Sequence, residues 1–231
     1  MMVRFLLQIV LFAYCIPAAA ADIPKGAVKY LPELVSVQQD IWPSAPMPSF
    51  LAAQVEQESC ITLTHSKCWN PRAELKTSRE NGIGFGQFTR AFKADGSIRF
   101  DKISELAAAH KSLRGWSWAN RYDPHFQLTA IVEMDKGIFN RQKGAATDRD
   151  RLSFTLSAYN GGESGVLQDR RLCANTRGCD STRWKGHVAN TSLKSKVPHP
   201  GYKKSFYAIN REYVINVLEV RRPKYDPYFK R

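Results

Sequence analysis

Residues 54–59 read QVEQES and close the first segment that the sequence commits to a helix, residues 49–59. Leu51, Val55 and Glu58 fall at i, i+4 and i+7, so at 3.6 residues per turn they share one stripe. Glu56 lies well round the cylinder and is expected to stay in water. A carboxyl aimed among apolar neighbours loses hydration when it ionises, so it holds its proton longer than usual. Glu58 is thus either the chance decoration of a helix end or a proton donor. Ser49 is the expected N-cap.

Outward from this helix the chain reads as mainly α. Residues 22–47 carry Pro24, Pro32, Pro43 and Pro46, which predicts a Pro-rich extended arm with at most a short helix near 33–41. Residues 60–87 contain Asn70-Pro71 and the glycines of ENGIGFGQF and read mainly as loop. Asp123 as N-cap and Pro124 at the first helical position open a helix, along which Phe126, Ala130, Met134 and Ile138 recur at helical spacing. A shorter helix over 150–159 is expected to be capped by Asp150 and stopped by Asn-Gly-Gly. A last one, over 204–220, places Phe206, Ile209, Tyr213, Val217 and Val220 along an apolar face. No segment shows sustained period-two alternation. The expectation is a single, mainly helical domain with long loops.

Composition sets the setting. Arg4, an apolar run from Phe5 to Ile16 and terminal alanines make residues 1–21 a secretory signal peptide, cleaved after Ala20 or Ala21. The run is short for a membrane span, so a periplasmic or secreted protein without a stable span is expected. Export leaves Cys60, Cys68, Cys173 and Cys179 in an oxidising compartment. Four cysteines allow three pairings, and closeness in sequence favours Cys60–Cys68 and Cys173–Cys179. Neither spacing suits zinc, no paired histidines accompany them, and neither a metal nor another cofactor is expected. The net charge of +13 points to an anionic partner, and export turns that choice from nucleic acid to an envelope surface. Residues 163–205 hold nine Lys/Arg against three Asp/Glu. They read as a basic loop insertion, either pinned to bind an acidic polymer or merely solvated. Residues 221–231 read as a basic C-terminal tail.

Three elements in order ask for one explanation: Glu58-Ser59 at a helix end, GIGFGQF about 25 residues on, and SAYNGG at 157–162. Together they resemble the lytic transglycosylase family with the lysozyme-like catalytic domain. Tyr213-Val214 in REYVIN matches a fourth element on that family's final helix. The resemblance spans residues 48–220 and implies a lysozyme-like fold acting on peptidoglycan glycan strands without a cofactor. It implies Glu58 as the acid that protonates the bridging oxygen and then, as base, takes the C6 hydroxyl proton of muramic acid to close a 1,6-anhydro ring. It also implies substrate-binding roles for Ser59, Gly84, Gly86, Gln87, Tyr159, Asn160 and Tyr213.

The residue types suit that chemistry. Glycosidic cleavage needs an acid with an elevated pKa near neutrality. Glycines let backbone approach a sugar closely, and a glutamine amide both donates and accepts toward acetamido groups. TSRENGIGFGQF departs from the family in placing Glu80 before the Gly-Gln loop. A second carboxylate there could activate water, giving a hydrolytic muramidase; alternatively Glu80 pairs with Arg79 or Arg72. Trp116 and Trp118 are candidates for a sugar platform or for the core. A wall-binding protein without activity is the rival of another class, and GGESG fails the serine-nucleophile pattern because its serine stands fourth.

Overall fold

The computed structural model describes residues 23–199, 201 and 203–230, so the signal peptide expected over 1–21 lies outside the described residues. The described residues form seven α-helices and a small sheet: α1 (Lys25–Ile41), α2 (Phe50–Ser59), α3 (Lys102–Ala109), α4 (Pro124–Arg141), α5 (Asp148–Gly161), α6 (Glu163–Ala174) and α7 (Phe206–Ile215). The sheet is an antiparallel meander in the order β1 (Glu74–Lys76), β2 (Glu80–Ile83), β3 (Phe88–Phe92), β4 (Ile98–Asp101). The chain is thus mainly helical, with a four-stranded sheet where the sequence reading had loop. The strands are three to five residues long, too short for alternation to register.

α2 occupies the centre. Phe50 to Glu56 are buried without interruption, the signature of a helix covered on every side. α1 and the turn at Gly84–Gly86 pack on it, and a π-helical turn over Asn216–Arg221, continuing α7, lies along it.

The arm expected over 22–47 is instead the 17-residue helix α1. Ala27, Leu31, Leu34 and Val37 recur on one face and are buried, and α1 lies against α4. The prolines mislead because all but Pro32 flank the helix. Pro32 withholds its N–H from the carbonyl of Val28, which lies on the exposed side where solvent is at hand.

The tail is also corrected. Arg222–Tyr228 form a 3₁₀ segment with Tyr225 fully buried, docked on α2. There Glu56, expected in water, is 2% exposed. It accepts from Tyr225 Oη at 2.5 Å and Lys224 Nζ at 2.8 Å, with Arg221 Nε 3.4 Å away.

Caps follow the sequence only in part. Asp123 accepts from the amides of His125 and Phe126 at the start of α4, as expected. Ser49 makes no cap and turns to Asp226 instead. α5 is capped by Thr147, whose Oγ1 accepts from the Asp150 amide at 3.1 Å; Asp150 sits inside the first turn.

Residues 163–205 are not a plain loop. They begin with α6, and the chain over 175–194 is held by Cys173–Cys179, by the buried Trp184 and by a buried ion pair. Asp169 of α6 accepts from Arg211 of α7 at 2.8 Å, with Lys194 3.2 Å away. Arg211 also donates to the carbonyls of Val188, Ala189 and Thr191. Cys60–Cys68 closes the loop after α2, so both expected disulfides are present. No helix among the described residues is long and apolar enough to cross a membrane.

Candidate active site

The C-terminal end of α2 and the face of the sheet enclose a cleft of about 270 Å³, lined by Glu58, Ser59, Lys67, Glu80, Gly82 and Gln87, among others. Gln87 and Thr89 also line a second hollow that continues past Gly86 to Tyr159 and Lys102. The two hollows meet at Gln87 and Thr89 and are together termed the trench.

Glu58 reaches this cleft from the last turn of α2. Its Oε1 accepts from the Tyr213 hydroxyl of α7 at 2.5 Å. Burial pushes its pKa up to about 7, against the opposing pull of the Tyr213 hydrogen bond. Near neutral pH such a carboxyl is present in both forms, so one side chain can give a proton and later take one.

Ser59 is fully engaged. Its Oγ donates to Val55 O at 2.6 Å and accepts from the Trp69 amide at 3.0 Å, tying the helix end to the disulfide loop. Tyr213 is 4% exposed and stands behind the acid rather than as a wall of the cleft. Its ring stacks on Tyr159 with centroids 6.4 Å apart. The Tyr159 hydroxyl donates to Gly86 O at 2.8 Å. Burial and the nearby carboxyls Glu58 and Asp135 push the Tyr159 hydroxyl well up. Asn160 is exposed and lines neither hollow; its Oδ1 accepts from Asn210 Nδ2 at 3.0 Å, which fixes α5 to α7.

The Gly-Gln turn is built for close approach. Gly84 has φ +68°, and a Cβ there would fall 2.0 Å from Gln127 Oε1. A Cβ on Gly86 would meet Tyr159 Oη at 2.7 Å. Gln87 itself is left-handed (φ 47°) and donates from Nε2 to Gly84 O at 2.9 Å.

Two buried residues that the sequence reading passed over support this frame. Gln127 of α4 accepts from the Phe85 amide at 2.9 Å and donates to Pro71 O and Arg121 O at 2.8 and 2.7 Å, clamping the turn. Asp135, also of α4, is fully buried behind Glu58. A signal for it exists: Ile131, Asp135 and Ile138 repeat the i, i+4, i+7 spacing that singles out Glu58.

Trp116 is buried against Phe88, and Trp118 lies under the Arg90 and Arg121 guanidiniums at 3.8 and 5.0 Å. Neither lines the trench. Among the described residues no group of three or more His, Cys, Asp or Glu side chains is arranged to hold a metal ion. In comparisons with known proteins, no family model matches the chain and no curated protein matches it.

Proposed function

We propose that this chain is a lytic transglycosylase with a lysozyme-like catalytic domain, exported to cleave the β-1,4 bond between N-acetylmuramic acid and N-acetylglucosamine in peptidoglycan. The observation that carries the reading is Glu58, shielded and raised toward neutrality, in a cleft that Gln87 also lines. The motif order Glu-Ser, Gly-x-Gly-Gln-Phe, Ala-Tyr-Asn-Gly-Gly and Tyr-Val supports it.

In this reading protonated Glu58 gives its proton to the bridging oxygen as the glycosidic bond breaks, with the substrate acetamido group assisting at the anomeric carbon. The resulting Glu58 carboxylate then takes the C6 hydroxyl proton, and O6 closes the 1,6-anhydro ring. No water enters the product. Tyr213 aims the carboxyl, and Gln87, which lines the cleft, offers the rest of its side-chain amide to the sugar. Exposed cations of 163–205, such as Arg171, Arg177 and Lys185, supply attraction to the anionic wall.

The test is mass spectrometry of sugars released from purified sacculi. Anhydromuramic ends are expected from the wild-type protein and none from folded Glu58→Gln. A Glu58→Gln protein that still clears sacculi would sink the reading. One observation favours a second one: Glu80 lines the same cleft as Glu58. A carboxylate there could hold the attacking water of a hydrolytic muramidase, whose products carry reducing ends.

A further inference from the structure

Asp135, where α4 meets α2, is a buried carboxyl that the proposed chemistry leaves without a role. It is 0% exposed. Its sole side-chain partner is the Gln54 amide of α2, also 0% exposed, whose Nε2 lies 3.5 Å from Asp135 Oδ1. Asp135 Oδ2 and Gln54 Oε1 are both buried without a hydrogen-bond partner. Gln54 stands one helical turn before Glu58, on the same side of α2.

An acceptor without a donor beside a carboxyl without a cation has a simple resolution. A protonated Asp135 gains an O–H, the very donor that Gln54 Oε1 lacks, and a carboxylic acid pairs with a primary amide through two reciprocal hydrogen bonds. An ionised Asp135 would leave Gln54 Oε1 unsatisfied and bury a bare negative charge near a second carboxyl, Glu58, an arrangement that costs several kcal/mol. The titratable groups facing Asp135 are Glu58 of α2, Tyr159 of α5 and Tyr213 of α7. All are neutral or negative, so none favours its ionised form.

We propose that Asp135 is a positioning residue that keeps its proton throughout the working range of the site, pairing as a neutral acid with Gln54. Glu58 is then the only carboxyl of the buried cluster to change charge. The consequence rests on Glu58 being the reacting acid. A second charge in the cluster would shift Glu58 whenever Asp135 titrated, whereas a neutral Asp135 holds Gln54 in place and leaves the field at Glu58 constant. Burial and the charge of Glu58 both raise Asp135 well above the ordinary aspartate range, in keeping with this role.

The test reads the proton directly, on the whole protein labelled with ¹³C at aspartate carboxyls. One carboxyl resonance, missing from Asp135→Asn, is expected to stay at its acid-form position while the other aspartates ionise below about pH 5. It should remain there through the titration of Glu58. If every aspartate of the wild-type protein ionises in the ordinary range, the proposal is overturned, whether or not the variant folds and whether or not sacculi are cleaved. On sacculi, Asp135→Leu, which cannot pair with Gln54, should lower kcat several-fold with KM in place, and Asp135→Asn should recover most of the loss. A fall in the upper pH limit of activity in Asp135→Asn would also overturn it, since that shift requires a charged Asp135 in the wild type.

Discussion

The Tyr213 hydroxyl donates to Glu58 Oε1 at 2.5 Å across the gap between α7 and α2, which are 155 residues apart in sequence. This bond favours the ionised carboxylate and partly offsets the effect of burial, which favours the acid. Tyr213→Phe should therefore raise the pKa of Glu58 further. Activity that needs protonated Glu58 falls as pH rises through that pKa, so the fall should move to higher pH in the variant. Loss of the bond should also lower stability by about 1 kcal/mol. A pH–rate profile on sacculi checks the first effect, and chemical denaturation the second.

Glu58 makes the fold itself pH-sensitive. Its ordinary pKa is 4.5 and its folded value about 7, so between these the folded state binds more protons than the unfolded one. Stability then declines as pH rises through this window. Glu58→Gln removes the penalty. The variant should match the wild type below about pH 4.5 and exceed it at pH 8 by on the order of 2 kcal/mol, allowing for the solvent-facing edge of the side chain. Melting temperatures across pH would show the two curves parting; parallel curves would refute the assignment.

Replacing Glu80 separates the two proposed reactions. It sits at the start of β2, opposite Ala91 in the register of the sheet, and lines the cleft. Glu80→Gln should leave anhydromuramic ends as the main product with a change in rate of less than about tenfold, because an intramolecular ring closure needs no water-activating base. Reducing ends in the wild type that vanish in Glu80→Gln would establish the hydrolytic route.

The Asp169–Arg211 pair joins α6, α7 and the chain at 188–191. Asp169 is 1% and Arg211 7% exposed. Asp169→Asn leaves a buried guanidinium without its counter-charge, which should cost about 3–5 kcal/mol. Denaturant unfolding measures this, and hydrogen exchange should show protection lost first over 188–194.

The helical spacing of Leu51, Val55 and Glu58 was enough to mark a carboxyl held away from water, because a single helix carries that stripe within ten residues. The same reasoning fails two residues away. Glu56 looks solvent-facing by period, yet its partners Lys224 and Tyr225 come from the far end of the chain, and one helix's period holds no record of what packs on its other side. The prolines around α1 and the short strands after Pro71 hid regular structure for a different reason: tertiary packing outweighs local propensity there. Asn160 was legible as part of a motif but not as a bond to Asn210, and Gln127 carries no local sign of its clamp.

The docking of Arg222–Tyr228 on Glu56 makes the middle of α2 depend on residues that come far later in the chain. Glu56 and Tyr225 are 169 residues apart and only two positions separate Glu56 from the acid. Before Lys224 and Tyr225 dock, burying Glu56 would leave a carboxylate without these two donors, so α2, with Glu58 at its end, settles into place only with the 222–228 segment.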